Sequence, residues 1–321
     1  MTSSMSNSLI DAIVTRREDQ TDEIAVFELA AADGSPLPAF EAGAHIDVIV
    51  GPDLTRQYSL SNAPGSAGYR LGILNDPGSR GGSRKIHASL EEGSRVRIGV
   101  PRNHFPLEMS AEHSLLIGGG IGITPMIAMA YALKAAGKSF ELHYCSRSAS
   151  KAAFLGELER EFAECLVLHF DDAGDAARID PRGLCGAAQA GTHLYVCGPG
   201  GFMDWVIDQA RAAGLPDKRI HFEYFSAEVD VSGEAFEVYA QGSDVTVRVG
   251  PNESIAMALK AAGVKVQMSC EEGVCGTCIC DVLEGTPEHR DRFLTDDEKA
   301  DNDQIALCCS RAKSARLVVD I

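Results

Sequence analysis

The sequence predicts a multi-domain protein with three folds in series: an antiparallel β-barrel, an α/β domain with a parallel sheet, and a small β domain that holds clustered cysteines. Short apolar strands between Gly, Pro, Asn and Asp turns fill the first hundred residues, which is typical of a small barrel. Strands then alternate with helices, as in a parallel sheet covered on both faces. A β-hairpin and the cysteines follow a short polar stretch. We expect domains at 1–107, 108–226 and 236–321, joined through a linker at 227–235.

The composition is that of an ordinary soluble globular chain. Of its 321 residues, 45% are hydrophobic and 23% charged. No apolar run approaches the length of a membrane span, and the N-terminus lacks the features of an export signal, so we expect a cytoplasmic, monomeric protein away from membranes. The net charge of -17 argues against binding to nucleic acid or to anionic membranes. Solubility alone also explains that charge.

Four cysteines near the C-terminus have the spacing of a plant-type 2Fe–2S site. Cys270, Cys275 and Cys278 form a C-x4-C-x2-C pattern, and Cys308 follows some thirty residues later. The loop must wrap three sulfurs around a small cluster while its amides point at the sulfides. Its glycines, Gly273 and Gly276, are expected to supply the unusual backbone angles that this requires.

The alternative for these cysteines is a structural zinc site. Zinc sites usually pair two C-x2-C motifs, or one such motif with histidines, and this segment has a single clean C-x2-C pair. Two further cysteines, Cys280 and Cys309, could replace neighbouring ligands, but the spacing favours the first four. Three of the four thiols outside this segment are predicted to be small buried side chains: Cys145, Cys165 and Cys185.

A glycine loop in the α/β domain is a candidate dinucleotide site. The segment GGGIGITP, residues 118–125, follows a buried strand and opens a helix, so free amides and the positive end of the helix dipole can face a pyrophosphate. Thr124 is predicted as the helix cap and Pro125 as its first residue. The candidate binding residues are Gly119, Gly120, Gly122, Thr124 and Pro125.

Two more strand ends belong to this candidate site. Cys197, Gly198 and Pro199 end a later strand, and cofactors lie at the carboxyl ends of such strands. A buried thiol at a strand end is the alternative for Cys197. Ser146 and Arg147 end the second strand, where a carboxylate would favour NADH and an arginine could accept the 2′-phosphate of NADPH. The segment offers no acid, so this choice stays open.

The predicted barrel contains two further motifs. The segment RQYS, residues 56–59, is predicted to be on a strand, and the segment SRGGS, residues 79–83, precedes a short helix that could bind an anion. An R-x-Y-S tetrapeptide also occurs by chance. The SRGGS segment and the two other predicted sites favour a functional role for it. A nicotinamide cannot pass electrons directly to an iron–sulfur cluster, so a carrier between them is needed.

Taken together, these motifs resemble the ferredoxin–NADP reductase superfamily. The cysteine segment, with FLTDD before Cys308 and CCSRAK from it, resembles the ferredoxin domain of the phthalate dioxygenase reductase and vanillate demethylase reductase family over residues 236–321. The resemblance implies a β-grasp fold for this domain, FMN as the flavin, and NADH as the preferred donor.

The same resemblance implies roles for the barrel residues. Arg56 would bind the FMN phosphate, Tyr58 would pack on the ring and Ser59 would lie near N5. Phe225 would cover the flavin, although a core phenylalanine is its alternative. The other implied FMN contacts are Gln57, Gly72, Ile73, Leu74, Arg80, Gly81, Gly82 and Ser83.

The resemblance implies an NADH-dependent reductase that passes electrons through FMN and the 2Fe–2S cluster to a Rieske-type oxygenase. No catalytic acid, base or nucleophile is assigned, because the cofactors carry the hydride and the electrons. An acidic run near the last ligand could dock on a basic oxygenase surface, or simply be solvated: Asp296, Asp297, Glu298, Asp301 and Asp303. Two other functions remain, a flavin reductase serving other soluble acceptors and a non-enzymatic zinc protein.

Overall fold

The computed structural model describes residues 9–51, 54–78 and 81–321. The chain divides into two compact units, Met1–Phe225 and Ser226–Ile321. Among the described residues, no helix is long and apolar enough to span a bilayer. The boundary predicted near residue 107, inside the first unit, stays a prediction.

The first unit opens with a nearly closed antiparallel barrel, as predicted. Its six strands are ordered β4-β3-β6-β1-β2-β5, and a bridge between Leu60 and Leu71 joins the two edges. Alternate side chains, such as Ile46, Ile98 and Phe27, point into a buried core. The elements are β1 (Leu9–Asp19), β2 (Ile24–Ala31), β3 (His45–Gly51), β4 (Leu54–Ser59), β5 (Tyr69–Leu74), α1 (Gly82–Ser89) and β6 (Arg95–Gly99).

A five-stranded parallel sheet with the order β11-β10-β7-β8-β9 completes this unit. Because the order reverses between β7 and β10, a crevice forms where their carboxyl ends part. The elements are β7 (His113–Gly119), α2 (Ile123–Ala135), β8 (Ser139–Ser146), α3 (Leu155–Phe162), β9 (Leu166–Phe170), α4 (Pro181–Ala187), β10 (Thr192–Gly198), α5 (Gly200–Ala212) and β11 (Ile220–Tyr224).

The start of α2 differs from the sequence prediction. A 3-10 turn over Gly120–Gly122 leads directly into the helix, and Gly122 occupies the cap position. Thr124 is therefore inside the first turn, where its hydroxyl donates to the carbonyl of Ile121 at 2.9 Å. The predicted Thr124 cap and Pro125 first position are both wrong, because the glycine turn already has a near-helical path.

The second unit has a mixed sheet ordered β13-β12-β18-β14-β16. β12 and β18 run parallel at its centre, and the predicted hairpin joins β12 to β13. Ser254 caps α6 by accepting from the amide of Met257 at 3.2 Å. The elements are β12 (Phe236–Ala240), β13 (Val245–Val249), α6 (Ile255–Ala261), β14 (Ile279–Glu284), β15 (Pro287–Glu288), α7 (Asp296–Asp301), β16 (Gln304–Ala306), β17 (Arg311–Ala312) and β18 (Arg316–Val319).

Candidate cofactor sites

The two glycine segments of the parallel sheet meet at the crevice between β7 and β10. A methyl group at Gly122 would overlap the carbonyl oxygen of Cys197. A Cβ atom at Gly198 would lie 3.1 Å from the Cα of Gly119, and one at Gly119 would lie 3.2 Å from Pro199 Cδ. Only glycines allow backbones this close. The structure thus brings the predicted GGGIGITP and CGPG motifs together at the edge where a dinucleotide binds.

The buried start of α2 faces the barrel. Thr124 and Pro125 are both buried, and a Cβ atom at Gly72 of β5 would lie 2.8 Å from Thr124 Cγ2 and 2.9 Å from the ring of Phe154. The strand predicted to contact the flavin therefore touches the helix that follows the predicted nicotinamide loop. Gly120 is half-buried with a positive φ of 54° and open space beside its Cα.

At the end of β8, Arg147 has an acidic neighbour that the local sequence does not contain. Its guanidinium lies 3.2 Å from Glu23 Oε2, and the side chain is 73% exposed. Lys151 also bonds Glu23, at 3.1 Å, and Asp22, at 2.8 Å. Ser146 Oγ donates to the carbonyl of Ser148 at 3.2 Å. The acidic neighbours come from the turn before β2, so no pattern within the α/β segment could have revealed them.

An anion cradle forms where β4 meets the start of α1. A Cβ atom at Gly82 would lie 2.6 Å from Arg56 Nε, so the arginine lies directly against the first turn of the helix. Gly81, with a φ of 93°, caps that helix. A guanidinium beside the first turn of a helix fits a phosphate group. Ser83 is buried beside them, whereas Ser79 and Arg80 lie outside the described residues.

The flavin-facing candidates of β4 and β5 include a polar atom without a partner. Ser59 is buried, and its hydroxyl has no hydrogen-bond partner among the described residues. Such a group fits a ligand that would complete its bonding. Burial also raises the pKa of Tyr58. Gln57 is engaged within the barrel, donating to Asp47 Oδ1 at 3.1 Å, and the carbonyl of Ile73 lies 2.9 Å from His87 Nε2. Leu74 is half-buried at the end of β5.

Phe225 follows the last residue of β11 at the same edge of the sheet as Gly198. Its side chain is 36% exposed. A core phenylalanine that closes the domain would be covered, so the exposure does not match that alternative and leaves the ring available to a ligand.

A buried polar cluster beside these residues was missed by the sequence reasoning. His45 Nδ1 lies 3.7 Å from Glu223 Oε1, and the ring of His104 lies 5.4 Å from that of His45. In the register of β3 and β4, His45 is opposite Ser59. Burial, and then the charge of Glu223, raises the pKa of the fully buried Cys197. These residues come from strands of two sheets and, for His104, from the loop after β6, so only folding could bring them together.

In the second unit the four predicted cluster cysteines lie next to one another. The thiol of Cys270 contacts those of Cys275 and Cys308, and the thiol of Cys308 also contacts that of Cys278. Four thiolates hold the two irons of a plant-type cluster. The four thiols that the fold brings together therefore fit such a cluster.

One thiol of the cysteine loop is shifted towards its thiolate form, whereas the pKa values of the two thiols that donate to it, Cys275 and Cys308, are raised. Donation from Cys275 and Cys308, followed by the amides of Glu272 and Val274, lowers the pKa of Cys270, and iron ligation requires the thiolate form. Gly273 and Gly276 have φ angles of 69° and 70°, as predicted, and the ring of Phe293 fills the space where a Cβ of Gly276 would be.

The other cysteines have different surroundings. Burial raises the pKa of Cys280 to about 12, and its thiol donates to the carbonyl of Asp320 at 3.6 Å. Cys309 is buried against Gly273. Cys185 is buried as predicted, whereas Cys145 and Cys165 are only half-buried. That part of the prediction is wrong, because Cys145 lies near the carboxyl end of β8 and Cys165 in the turn before β9, where each is only partly covered.

Comparison with protein-family models and known proteins agrees with this arrangement. Residues 238–313 match the 2Fe-2S iron-sulfur cluster binding domain, and residues 100–220 match the N-terminal domain of dimethylamine monooxygenase subunit DmmA-like proteins. The vanillate O-demethylase oxidoreductase of Pseudomonas sp. (strain HR199 / DSM 7063) is 49% identical over 98% of this chain and 100% of its own length.

Two solved structures are similar over almost the whole chain. Phthalate dioxygenase reductase, described as a modular structure for electron transfer from pyridine nucleotides to [2Fe-2S], is 36% identical with a TM-score of 0.75 and 98% coverage of both chains. An intact type IV self-sufficient cytochrome P450 monooxygenase is 38% identical with a TM-score of 0.86. The match covers 98% of this chain and 41% of that one. The protein is an oxidoreductase and belongs to the family of iron–sulfur flavoprotein reductases that includes vanillate O-demethylase oxidoreductase and phthalate dioxygenase reductase.

Proposed function

We propose that this protein takes electrons from NADH, passes them through FMN to its 2Fe–2S cluster, and delivers them to a separate Rieske-type oxygenase. The observation that carries the proposal is the packing of Gly72 against Thr124 and Phe154. Hydride transfer requires the donor and the flavin to be in van der Waals contact. That packing supports it, because the strand proposed to line the flavin touches the helix that follows the proposed nicotinamide loop.

FMN, when bound, accepts a hydride and releases its electrons singly, which is what joins a two-electron donor to a one-electron cluster. The chain's residues have the task of holding it. Arg56 and the amides of Gly81, Gly82 and Ser83 would bind the phosphate. The unpaired hydroxyl of Ser59 would bond the ring, and Tyr58 and Phe225 would cover its faces.

The dinucleotide would lie across the crevice between β7 and β10. Gly119, Gly120 and Gly122 would admit its pyrophosphate to the start of α2, and Cys197, Gly198 and Pro199 would border the nicotinamide. Arg147, which is paired with Glu23, would lie near the adenosine end of the dinucleotide. That carboxylate would oppose a 2′-phosphate, which supports NADH as the donor.

The partner surface is proposed to be the acidic run of α7 and the turn after it. Asp296, Asp297, Asp301 and Asp303 are exposed. Glu298 is partly committed to the helix, since it accepts from the amide of Thr295 at 2.8 Å. Such a patch speeds encounter with a basic surface without adding much affinity. Names of the relatives support an oxygenase as acceptor, and the similarity to a self-sufficient cytochrome P450 monooxygenase makes a cytochrome P450 the acceptor to test against.

The experiment is a titration of the purified holoprotein followed by rapid mixing with an acceptor. NADH, but not NADPH at the same concentration, should bleach both the flavin and the cluster. Vanillate O-demethylase oxygenase should then reoxidise the cluster faster than a soluble bacterial P450 or a small quinone does. Raising the salt from 50 to 500 mM should slow only the oxygenase reaction. Equal rates with a quinone would instead favour the flavin reductase that serves other soluble acceptors.

A further inference from the structure

Two arginines of the second unit bind the backbone of residues 230–234, called here the entering chain. Arg290 Nη1 donates to the carbonyls of Asp230 and Ser232, both at 2.7 Å. Arg311 donates to the carbonyl of Val231 and, at 2.8 Å, to that of Glu234. The backbone of this stretch, which the sequence predicts as linker, is therefore bonded along its second half by two guanidinium groups.

Arg311 is fully buried, and its remaining hydrogen bonds explain how its charge is stabilised there. It also donates to the carbonyls of Glu253 at 2.8 Å and Gly250 at 3.0 Å, and its guanidinium lies 5.0 Å from the centre of the Phe236 ring. A buried charge is tolerated only where such partners surround it. The four carbonyls are consequently fixed relative to each other, two from the entering chain and two from the loop after β13.

Backbone bonds add to this attachment. The amide of Gly233 donates to the carbonyl of Pro251 at 2.8 Å, and Ser232 forms a β-bridge with Asn252. By contrast, residues 226–229 of the described chain lie outside helices and strands and are exposed or half-buried. Residues 230–235, the bonded stretch, are thus held at the edge of the second unit by hydrogen bonds.

The arginines also adjoin the cysteine loop. The amide of Arg290 donates to Ser310 Oγ at 3.1 Å, and the neighbouring Arg292 amide donates to the carbonyl of Gly273 at 2.9 Å. Arg311 is three residues beyond Cys308. One network therefore links the cluster ligands to the entering chain.

We propose that Arg290 and Arg311 are positioning residues for electron transfer: they bind residues 230–235 to the second unit, so that only residues 226–229 remain as the unbonded segment that connects it to the first unit. The proposal rests on the proposed function and adds what sets the length of this connecting segment. A tether of four residues reaches about 14 Å and one of ten about 35 Å. Because effective concentration falls as roughly the −3/2 power of tether length, releasing the stretch should slow flavin-to-cluster transfer about four-fold.

The test uses Arg290→Ala in the holoprotein, since Arg290 is partly exposed and tolerates removal better than Arg311. Hydrogen exchange at the amides of Ser232, Gly233 and Glu234 should accelerate at least ten-fold. In rapid mixing with NADH, flavin reduction should keep its rate while cluster reduction slows by up to about four-fold, the value for full release, because Arg311 still binds part of the stretch. Arg290→Lys should recover part of both effects. Arg316→Ala, which removes an exposed arginine of β18 away from this stretch, is the matched control and should change neither.

The proposal would be overturned if amide hydrogen exchange became fast in Arg290→Ala while the rate of cluster reduction stayed unchanged. Fast hydrogen exchange at the Gly233 amide of the unsubstituted protein would also overturn it. The cluster's EPR spectrum and potential should stay constant, because a damaged cysteine loop would move them. If they move, a second variant decides: six Gly/Ser residues inserted after Ala227 should slow cluster reduction to a similar extent, and an unchanged rate rejects the pivot. None of these measurements includes an oxygenase, so failure of the partner proposal stays distinguishable. NADH that reduces neither cofactor would reject the proposed function itself.

Discussion

The glycine loop of the first unit and the cysteine loop of the second show two ways of building a redox site. The three cysteines of the loop lie within nine residues, and the fourth is held next to them by the strand that β14 pairs with. The crevice at Gly119 and Gly122 instead depends on Cys197 and Gly198, some eighty residues further along the chain. The cysteine loop can be recognised from one short motif because most of its residues are close in sequence. The crevice forms only because β7 and β10 are neighbours in the sheet.

The largest effect is expected when a cysteine of the predicted cluster site is replaced. Cys308→Ser should remove the cluster, because one iron would lose a thiolate ligand, and electron delivery to any one-electron acceptor should fall more than 100-fold. Flavin reduction by NADH should remain. Iron content, the EPR spectrum and rapid-mixing kinetics measure these outcomes. Cys280→Ser, whose thiol donates to a carbonyl of the sheet, is the control and should keep the cluster. A cluster retained in Cys308→Ser would show that Cys309 or Cys280 is the ligand.

The next test breaks the crevice. Gly122→Ala places a methyl group onto the carbonyl of Cys197, so the two strand ends must separate. We expect NADH-driven flavin reduction to slow about 100-fold, since misplacement by 1 Å costs roughly that much, while dithionite still reduces both cofactors. Gly156→Ala on α3, where nothing lies within 4 Å, should leave the rate unchanged. Equal rates in both variants would mean that the crevice is not the nicotinamide site.

A smaller effect is expected at the anion cradle. Arg56→Ala should weaken FMN binding about 10- to 100-fold, because a charge-assisted bond to phosphate contributes roughly 1.5–3 kcal/mol. Flavin fluorescence during dilution of the holoprotein measures the affinity. Arg97→Ala, an exposed arginine of β6, should not change it. Riboflavin, which lacks the phosphate, should bind the Arg56 variant and the parent protein equally, and a difference there would assign Arg56 to the ring instead.

The smallest effect compares the acid stability of the two units. Burial lowers the pKa of His221 to about 4 from its ordinary 6.5, so the folded first unit keeps this ring neutral where the unfolded chain protonates it. Its contribution is present above about pH 6.5 and is lost as the pH falls towards 4. His221→Gln should therefore reduce the fall in Tm between pH 7 and pH 5 by about 2–4 °C.

Flavin fluorescence on heating reports the Tm of the first unit. Burial also lowers the pKa of His193, whose ring nitrogen lies 2.8 Å from that of His221, so substitution of either should act in the same direction. His289→Gln, in the second unit, should leave this transition unchanged. An unaltered pH dependence in His221→Gln would show that its ring is protonated without cost in the folded state.

Much of the fold could be predicted because its signals are local. Alternating strands, the GGGIGITP loop and the cysteine spacing each lie within a few residues, and each is found in the element predicted for it. The prediction for Thr124 failed since a glycine turn can cap a helix without a side chain. The short strands β14 and β16 were not predicted, because their burial comes from partners elsewhere in the second unit.

By itself, the sequence determined the 2Fe–2S cysteine spacing, the glycine motifs and the order of the three folds, since their signals lie within short segments of the chain. Only the tertiary structure decided that Glu23 pairs with Arg147, that Glu223 faces His45 beside Cys197, and that Arg311 closes on the carbonyls of the entering chain. The physical reason is that a buried or shared charge is stabilised by whichever groups the packed strands bring to it, and these are distant in sequence.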